Sequence, residues 1–131
     1  MVTGTPGLAG NNAAAGAAAE EQALQHLLAQ GLVLVERNYR VARGPSARGG
    51  EIDLILRDVD GTLVFVEVRE RADGRHGGAA ASVGARKQQR IIRAAQHYLM
   101  RQPSQAVACR FDVVAIDGDV LSWIPGAFLA R

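Results

Sequence analysis

The side chains with the clearest chemical potential are two carboxylates set into strongly apolar stretches. Asp53 lies in EIDLIL (residues 51–56), and Glu67 lies in TLVFVEVRE (residues 62–70). Apolar stretches of this kind are usually buried, and a buried carboxylate needs a partner or a metal ion. Because hard cations such as Mg²⁺ take oxygen ligands, the two residues predict a divalent-metal site that would hold Mg²⁺ or Mn²⁺.

Whether the two carboxylates meet depends on the length of the turn between the strands. A two-residue loop at positions 60–61 would pair Asp53 with Val68 and would send the two carboxylates to opposite faces. A three-residue loop at positions 59–61 would pair Asp53 with Glu67, with Cβ atoms roughly 5 Å apart. The glycine at the last loop position favours the longer loop, because that position takes left-handed dihedrals. The alternative is a surface hairpin whose charges simply face water.

The strands decide which side chains enter the core. Successive side chains on a strand point to opposite faces of the sheet. Ile52, Leu54 and Leu56 are therefore predicted to share one face of the first strand. Glu51 and Asp53 are predicted to share the other face, so that the acidic groups emerge together while the aliphatic groups pack.

A third carboxylate belongs to the predicted first helix. At roughly 100° per residue, Glu20 falls inside an apolar stripe of the helix. A glutamate on a packing face is costly unless something receives it. The alternative is that Glu20 lies one turn beyond the packed part, in solvent. The stripe consists of Ala23, Leu24, Leu27 and Leu28.

A second group of side chains is cationic. The predicted second helix has a basic face opposite an apolar one, and a glycine-rich basic loop follows the first strand. Such a ridge and loop could track the phosphates of a nucleic acid, although a charged helix face is more often simply solvated. The candidate nucleic-acid-binding residues are Arg86, Lys87, Arg90 and Arg93 on the helix, with His97 beside them, and Arg43 and Arg48 in the loop, with Arg37 and Arg40 before it.

Two helices and a sheet must position these groups. Asn11 or Asn12 is predicted to cap the first helix, which Gly31 ends, and Ser82 is predicted to cap the second. The order of elements predicts an α/β fold with a mixed central sheet flanked by helices. In chain order, the predicted elements are a helix (13–30), a strand (32–40), a hairpin (51–56 and 62–70), a helix (82–101) and two strands (107–116 and 120–124).

Composition limits the remaining classes of function. The length of 131 residues fits one domain, for which we expect residues 11–131, with residues 1–10 as a disordered tail. The single cysteine excludes an internal disulfide, so a reducing cytoplasm is the simplest location. No apolar stretch is long enough to cross a membrane. A net charge of +2 permits a nucleic-acid partner without requiring one.

Several short stretches occur together in an order that is specific. They are E-x-x-A from Glu20, GGEIDLI from Gly49, VFVEVRER from Val64, GGAAASV from Gly77, KQQRI from Lys87 and RFDVV from Arg110. With these stretches the chain resembles the YraN-type family of bacterial proteins over about residues 16–124. That family is similar to archaeal Holliday junction resolvases and to the restriction-endonuclease-like fold.

The resemblance implies a restriction-endonuclease-like αβββαβ core with a site of the type D…E-x-K. On this pattern Asp53 and Glu67 bind the metal. Glu20 matches the helix-one glutamate of resolvase-like members and would complete the metal site, and Glu51 is a more distant acid. Arg69 stands where the fold usually has lysine, so that an arginine joins the implied catalytic set. Arginine can stabilise charge, but it cannot act as a base because it stays protonated.

The resemblance further implies a Mg²⁺- or Mn²⁺-dependent endonuclease or resolvase-like enzyme that hydrolyses phosphodiester bonds of DNA. The alternative is a nucleic-acid-binding module on the same fold without turnover, which the arginine at position 69 favours. A third reading is a protein-interaction adaptor in which Glu51, Asp53 and Arg69 form a structural ion network. One fold hosts many functions. Junction-cutting enzymes generally need two active sites, so a homodimer also stays open.

Overall fold

Two helices and a five-stranded sheet make up the described part of the chain. The computed structural model describes residues 8–42, 49–71, 83–102 and 107–130. The elements are α1 (Leu8–Ala29), β1 (Val33–Val41), β2 (Gly50–Arg57), β3 (Leu63–Arg71), α2 (Ala85–Met100), β4 (Cys109–Asp117) and β5 (Val120–Phe128). The strands lie in the order β1-β2-β3-β4-β5. Only β3 and β4 pair in parallel, and the other neighbours are antiparallel. The predicted α/β class, with an αβββαβ core and a mixed sheet, is confirmed.

α1 starts earlier than predicted. It begins at Leu8, so Asn11 and Asn12 lie inside the helix and do not cap it. Helix formation is cooperative, and the alanine-rich run that follows favours extension because alanine has the highest helix propensity. Residues 1–7 of the predicted tail lie outside the described residues. The predicted C-terminal break is confirmed, because the helix ends just before Gly31, whose φ is +100°.

α2 starts later than a cap at Ser82 would require. Its N-cap residue is Gly84, which has an extended backbone and makes no side-chain hydrogen bond to the helix. Ser82 itself lies outside the described residues. The first turn is tied instead by Gln88, whose side-chain amide donates to the carbonyl oxygen of Val83 at 2.9 Å. The backbone entering the helix is thus held from within the helix.

The two helices cover opposite faces of the sheet and create two cores. The α1-side core confirms most of the predicted stripe on the first helix, but Leu28 is 37% exposed and lies outside it. The α1-side core contains Ala19, Ala23, Leu24, Leu27, Leu54, Leu56, Val64, Val66, Val114 and Ile116. The α2-side core contains Tyr39, Ile52, Ile55, Phe65, Ile91, Ile92, Ala94, Ala95, Tyr98, Phe111 and Val113.

Close backbone packing fixes α2 against the start of β2. A Cβ atom at Gly50 would lie 2.5 Å from the carbonyl oxygen of Arg90 and 3.2 Å from the Cβ of Ala94. Real Cβ atoms do not approach a backbone oxygen that closely, so only glycine permits this approach. The approach brings the first turns of α2 beside the part of β2 that carries Asp53.

A buried acid fastens the far edge of the sheet. Asp112 in β4 is fully buried and accepts hydrogen bonds from Arg110 Nε, Trp123 Nε1 and the Gly126 backbone, each at 2.9 Å. The same arginine donates through its guanidinium to Asp58 at 2.9 Å. Asp112 therefore ties β5 to β4, and Arg110 ties the β2–β3 turn to β4.

Candidate metal and nucleic-acid site

The turn between β2 and β3 sets the register of the two acidic strands. The Asp58 N–H donates to Thr62 O at 2.9 Å, and Gly61 has a φ of +92°. The ladder continues to the pair formed by Leu54 and Val66. This is the register of the three-residue loop, as predicted, and the register of the two-residue loop is excluded.

One step further along this register, Asp53 lies opposite Glu67. The regular ladder does not reach that step. Instead, Asp53 Oδ2 accepts the backbone N–H of Val68 at 2.8 Å. The carboxylate therefore lies between two strands in place of a backbone acceptor, and this fixes its orientation. The predicted alignment of Glu51 with Arg69 lies beyond the paired part of the strands, and Glu51 faces β1 and pairs with Arg40 at 3.4 Å.

The expected alternation of faces breaks at Asp53. Leu54 and Leu56 pack in the α1-side core, whereas Ile52 packs in the α2-side core. The prediction that these three residues share one face is therefore wrong. A strand changes face in this way only where its backbone departs from regular pleating. The departure leaves Asp53 between the two layers.

Asp53 and Glu67 form a mutually perturbed acidic pair. Burial, and then the charge of Asp53, raise the pKa of Glu67 to about 7. Burial also raises the pKa of Asp53, against the lowering effect of the hydrogen bond from Val68. Hydrogen bonding from the Glu67 side chain also lowers the pKa of Asp53. Glu67 is only 5% exposed. Each carboxylate makes ionisation of the other less favourable, and a bound cation would offset that cost.

Lys87 reaches the pair from α2. Its Nζ lies 3.5 Å from Glu67 Oε2, and its charge lowers the pKa of both carboxyl groups. The sequence placed Lys87 only on the flank of a phosphate-binding ridge and missed this contact. A signal was present, since Lys87 lies one helical turn before the buried Ile91 and so leans toward the sheet.

Arg69 lies on the same strand two residues after Glu67. It is partly buried, and its charge lowers the pKa of Glu67. The site therefore has two cations on its β3 and α2 sides, an arginine in the position implied for lysine and a lysine from the helix.

Glu20 approaches from α1. It is partly buried, and burial raises its pKa, followed by the charges of Asp53 and Glu51. A side-chain hydrogen bond from Asn38 opposes the rise. Within the described residues no three His, Cys, Asp or Glu side chains are grouped closely enough to hold a metal ion. Glu20 thus lies within electrostatic range of the pair but outside a direct three-ligand set.

A groove opens at Lys87, the residue that contacts Glu67. It has a volume of about 730 Å³ and runs between the β1–β2 edge and the first turns of α2. Lys87 and Arg90 line it on the helix side, Arg40 and Glu51 line it on the strand side, and the Gly50 backbone lies between them. This cationic wall, which Lys87 links to the Glu67 carboxylate, is suited to a phosphate-bearing ligand.

Comparison with known proteins places the chain in a family. The model of the Uncharacterised protein family UPF0102 matches residues 19–116. The chain belongs to the UPF0102 family. A UPF0102 protein of Methylibium petroleiphilum is 65% identical over 115 residues, which cover 88% of this chain and 93% of the relative. A UPF0102 protein of Burkholderia pseudomallei is 53% identical over 125 residues, which cover 95% of this chain and 82% of the relative. These matches agree with the resemblance to the YraN-type family.

The predicted basic ridge of this UPF0102 protein is only partly a free surface. Arg86 and Arg90 are exposed and Arg93 is partly buried. His97 Nδ1 is 2.6 Å from the hydroxyl of Tyr39. Of the arginines around the basic loop, Arg37 pairs with Glu21 at 3.2 Å and Arg40 lines the groove, whereas Arg43 and Arg48 lie outside the described residues.

The length and apolarity of the two helices show whether either of them could span a membrane. In the part of the chain that the structure describes, neither helix combines the length and apolarity needed to span a bilayer.

Proposed function

We propose that this UPF0102 protein is a Mg²⁺- or Mn²⁺-dependent nuclease that hydrolyses phosphodiester bonds, with DNA as its substrate. The observation that carries the proposal is the Asp53–Glu67 pair, in which Glu67 is buried and Asp53 is partly buried. Lys87 contacts Glu67 and also lines a groove with a cationic wall. Ion pairs that serve only structure also perturb pKa values, but like charges held together in a site shielded from water are typical of functional sites.

The two carboxylates fit a divalent cation. Mg²⁺ is usually held through one or two protein carboxylates, with water and substrate phosphate completing its shell, so a third protein ligand is not required. When bound, the metal would lower the pKa of its water and neutralise charge on the phosphate. Asp53 and Glu67 would hold it, and Glu20 would orient water at greater distance.

The cations of the site would act on the phosphate. The Lys87 ammonium is already at the carboxylates and faces the groove, so it can hold a phosphate oxygen next to the metal ligands. Arg69 can stabilise negative charge that develops in the transition state. Arg90 and Arg40 would hold the adjoining backbone, which makes binding salt-dependent.

A cleavage assay tests the proposal. Wild-type protein is incubated at low salt with linear duplex, single-stranded, flapped and four-way-junction DNA, in Mg²⁺, Mn²⁺ or EDTA. Asp53→Asn keeps the size of the side chain and removes the metal-binding charge. Glu70→Gln, an exposed residue of the neighbouring strand β3, is the matched control.

Products that require the metal, persist in Glu70→Gln and fall by at least about a hundredfold in Asp53→Asn support the proposal. Equal cleavage by Asp53→Asn would refute the assignment of the site. Absence of cleavage by the wild type on every substrate would refute the nuclease.

A nucleic-acid-binding module without turnover is the second candidate. It is favoured by the Lys87–Glu67 ion pair, which neutralises one carboxylate without any metal. This candidate requires gel shifts in EDTA that weaken with salt, and no products in metal. Arg90→Ala should then lower the salt dependence by about one phosphate contact, whereas Arg57→Ala, at the opposite end of β2, should not.

A further inference from the structure

Asn38 has an unusual backbone within β1. Its φ is +54°, and it is the only non-glycine residue with a positive φ in the part of the chain that the structure describes. L-residues are disfavoured in the left-handed region, where asparagine is tolerated better than most. Such a conformation persists only where surrounding structure imposes it, and it often marks a functional site.

The position of Asn38 in the sheet is specific. The residue before Asn38 pairs with the residue after Asp53, and the residue after Asn38 pairs with the residue before Asp53. Asn38 therefore lies directly across the ladder from Asp53. The left-handed residue of β1 and the metal-binding candidate of β2 occupy the same step of the sheet.

At this step the side chains also change the face of the sheet to which they point. Ile52 and its partner Tyr39 pack in the α2-side core, whereas Leu54, one position beyond Asp53, packs in the α1-side core. A left-handed residue rotates the backbone relative to a regular strand, and the change of layer occurs where that rotation lies. Asp53 is left in the plane of the sheet, where its carboxylate accepts the Val68 N–H.

The side chain of Asn38 makes a second link. It lowers the pKa of the Glu20 carboxyl group, which α1 brings within range of the charges of Asp53 and Glu51. Glycine would accept the left-handed backbone but would lose this link. An asparagine therefore satisfies both requirements at once.

We propose that Asn38 is a positioning residue whose left-handed backbone holds Asp53 between the two helix layers, in reach of Glu67 and Glu20. Its effect on metal binding rests on the proposed function. Its effect on the placement of Asp53 does not, and can be measured without metal.

The metal-free measurement is hydrogen exchange of the Val68 amide by NMR in EDTA. Asn38→Ala removes the preference for the left-handed region, and Asn38→Gly restores access to it. Protection of Val68 should fall about tenfold or more in Asn38→Ala and should stay within about threefold of wild type in Asn38→Gly. Asp53→Ala defines complete loss of the acceptor, and the amide of Val113 in the central β4 reports global opening.

The second measurement is Mn²⁺ affinity of the same proteins. Asn38→Ala should weaken binding about tenfold, as loss of a group that orients a ligand does, and Asn38→Gly should recover most of that loss. If Val68 protection in Asn38→Ala equals that in wild type, or if Asn38→Gly loses protection to the same extent, the inference is overturned. If the Val68 pattern is as expected but wild type binds no Mn²⁺, the positioning role stands and the proposed metal site fails.

Discussion

Lys87 Nζ lies 3.5 Å from Glu67 Oε2 and joins the first turn of α2 to β3. Glu67 is buried, whereas the lysine side chain is 42% exposed. The contact offsets one of two neighbouring negative charges. Because the lysine is partly exposed, a metal ion could take its place beside Glu67, and the lysine could then bind a phosphate. A change in the charge of Asp53, Glu67 or Lys87 should therefore alter the pKa values of the carboxyl groups in this site.

The raised pKa of Glu67 makes stability depend on pH. The folded protein binds this proton more tightly than the unfolded chain, because the pKa is about 7 in the fold and its ordinary value is 4.5. The stabilising contribution of the proton is full below about pH 4.5 and is lost as pH rises through about 7. In EDTA, the free energy of unfolding measured with urea should fall by on the order of 2 kcal/mol between pH 5 and pH 8.

Glu67→Gln is the variant that checks this pH dependence. Glutamine is neutral at every pH, so the pH dependence of the free energy of unfolding should largely disappear. At pH 8 the variant should be more stable than wild type. Glu70→Gln, on the same strand but exposed, should keep the wild-type slope. An unchanged slope in Glu67→Gln would assign the pH dependence to another group.

Removal of the Lys87 charge should separate metal binding from turnover. In Lys87→Met the acidic pair loses a competing cation, so Mn²⁺ affinity at pH 8 should increase several-fold. Cleavage should fall by about 10²-fold or more, because a cation next to the reacting phosphate is lost. Calorimetric Mn²⁺ titration and single-turnover cleavage measure the two effects.

Arg86→Met is the matched control for Lys87→Met. It removes the same charge from the adjacent position of α2, but Arg86 is exposed. It should weaken DNA binding modestly and leave Mn²⁺ affinity unchanged. A parallel loss in both variants would show a general charge effect in place of a specific role for Lys87.

Gly50→Ala should destabilise the fold. The added Cβ would lie 2.5 Å from Arg90 O, and a backbone oxygen cannot move without displacing α2 from β2. Overpacking of this kind costs typically about 1–3 kcal/mol. Gly16→Ala, in a helical position with open space around it, should instead stabilise by about 0.5–1 kcal/mol. Urea denaturation of both variants measures the difference.

Loss of the Asp112 carboxylate should loosen the β5 edge. Asp112→Ala leaves Arg110 Nε and the N–H groups of Trp123 and Gly126 without their acceptor, and each buried donor left unsatisfied costs about 1–3 kcal/mol. Unfolding followed by Trp123 fluorescence reports directly on this contact. Asp119→Ala, in the exposed β4–β5 turn, should stay within about 0.5 kcal/mol of wild type.

The local pattern of the sequence predicted most of the fold. Period-two alternation and turn residues identify the strands, and the glycine at position 61 selects the three-residue loop, which fixes Asp53 opposite Glu67. These features depend on residues near one another in the chain, where backbone sterics decide the outcome. Helix starts were predicted less well, because the alanine-rich run extends α1 to Leu8 and the glycine cap of α2 involves no side-chain hydrogen bond.

The sequence predicted the pairing of Asp53 with Glu67 but did not predict the other contacts of the site. Alternation gives a face for each residue but assumes a regular strand, and the left-handed Asn38 lies where β2 changes layer at Asp53. The contact of Lys87 with Glu67 depends on the rotation of α2 over the sheet, which is set by packing at Gly50 and not by any local period. Tertiary structure decided these relationships because they join elements whose relative placement is determined by burial across layers.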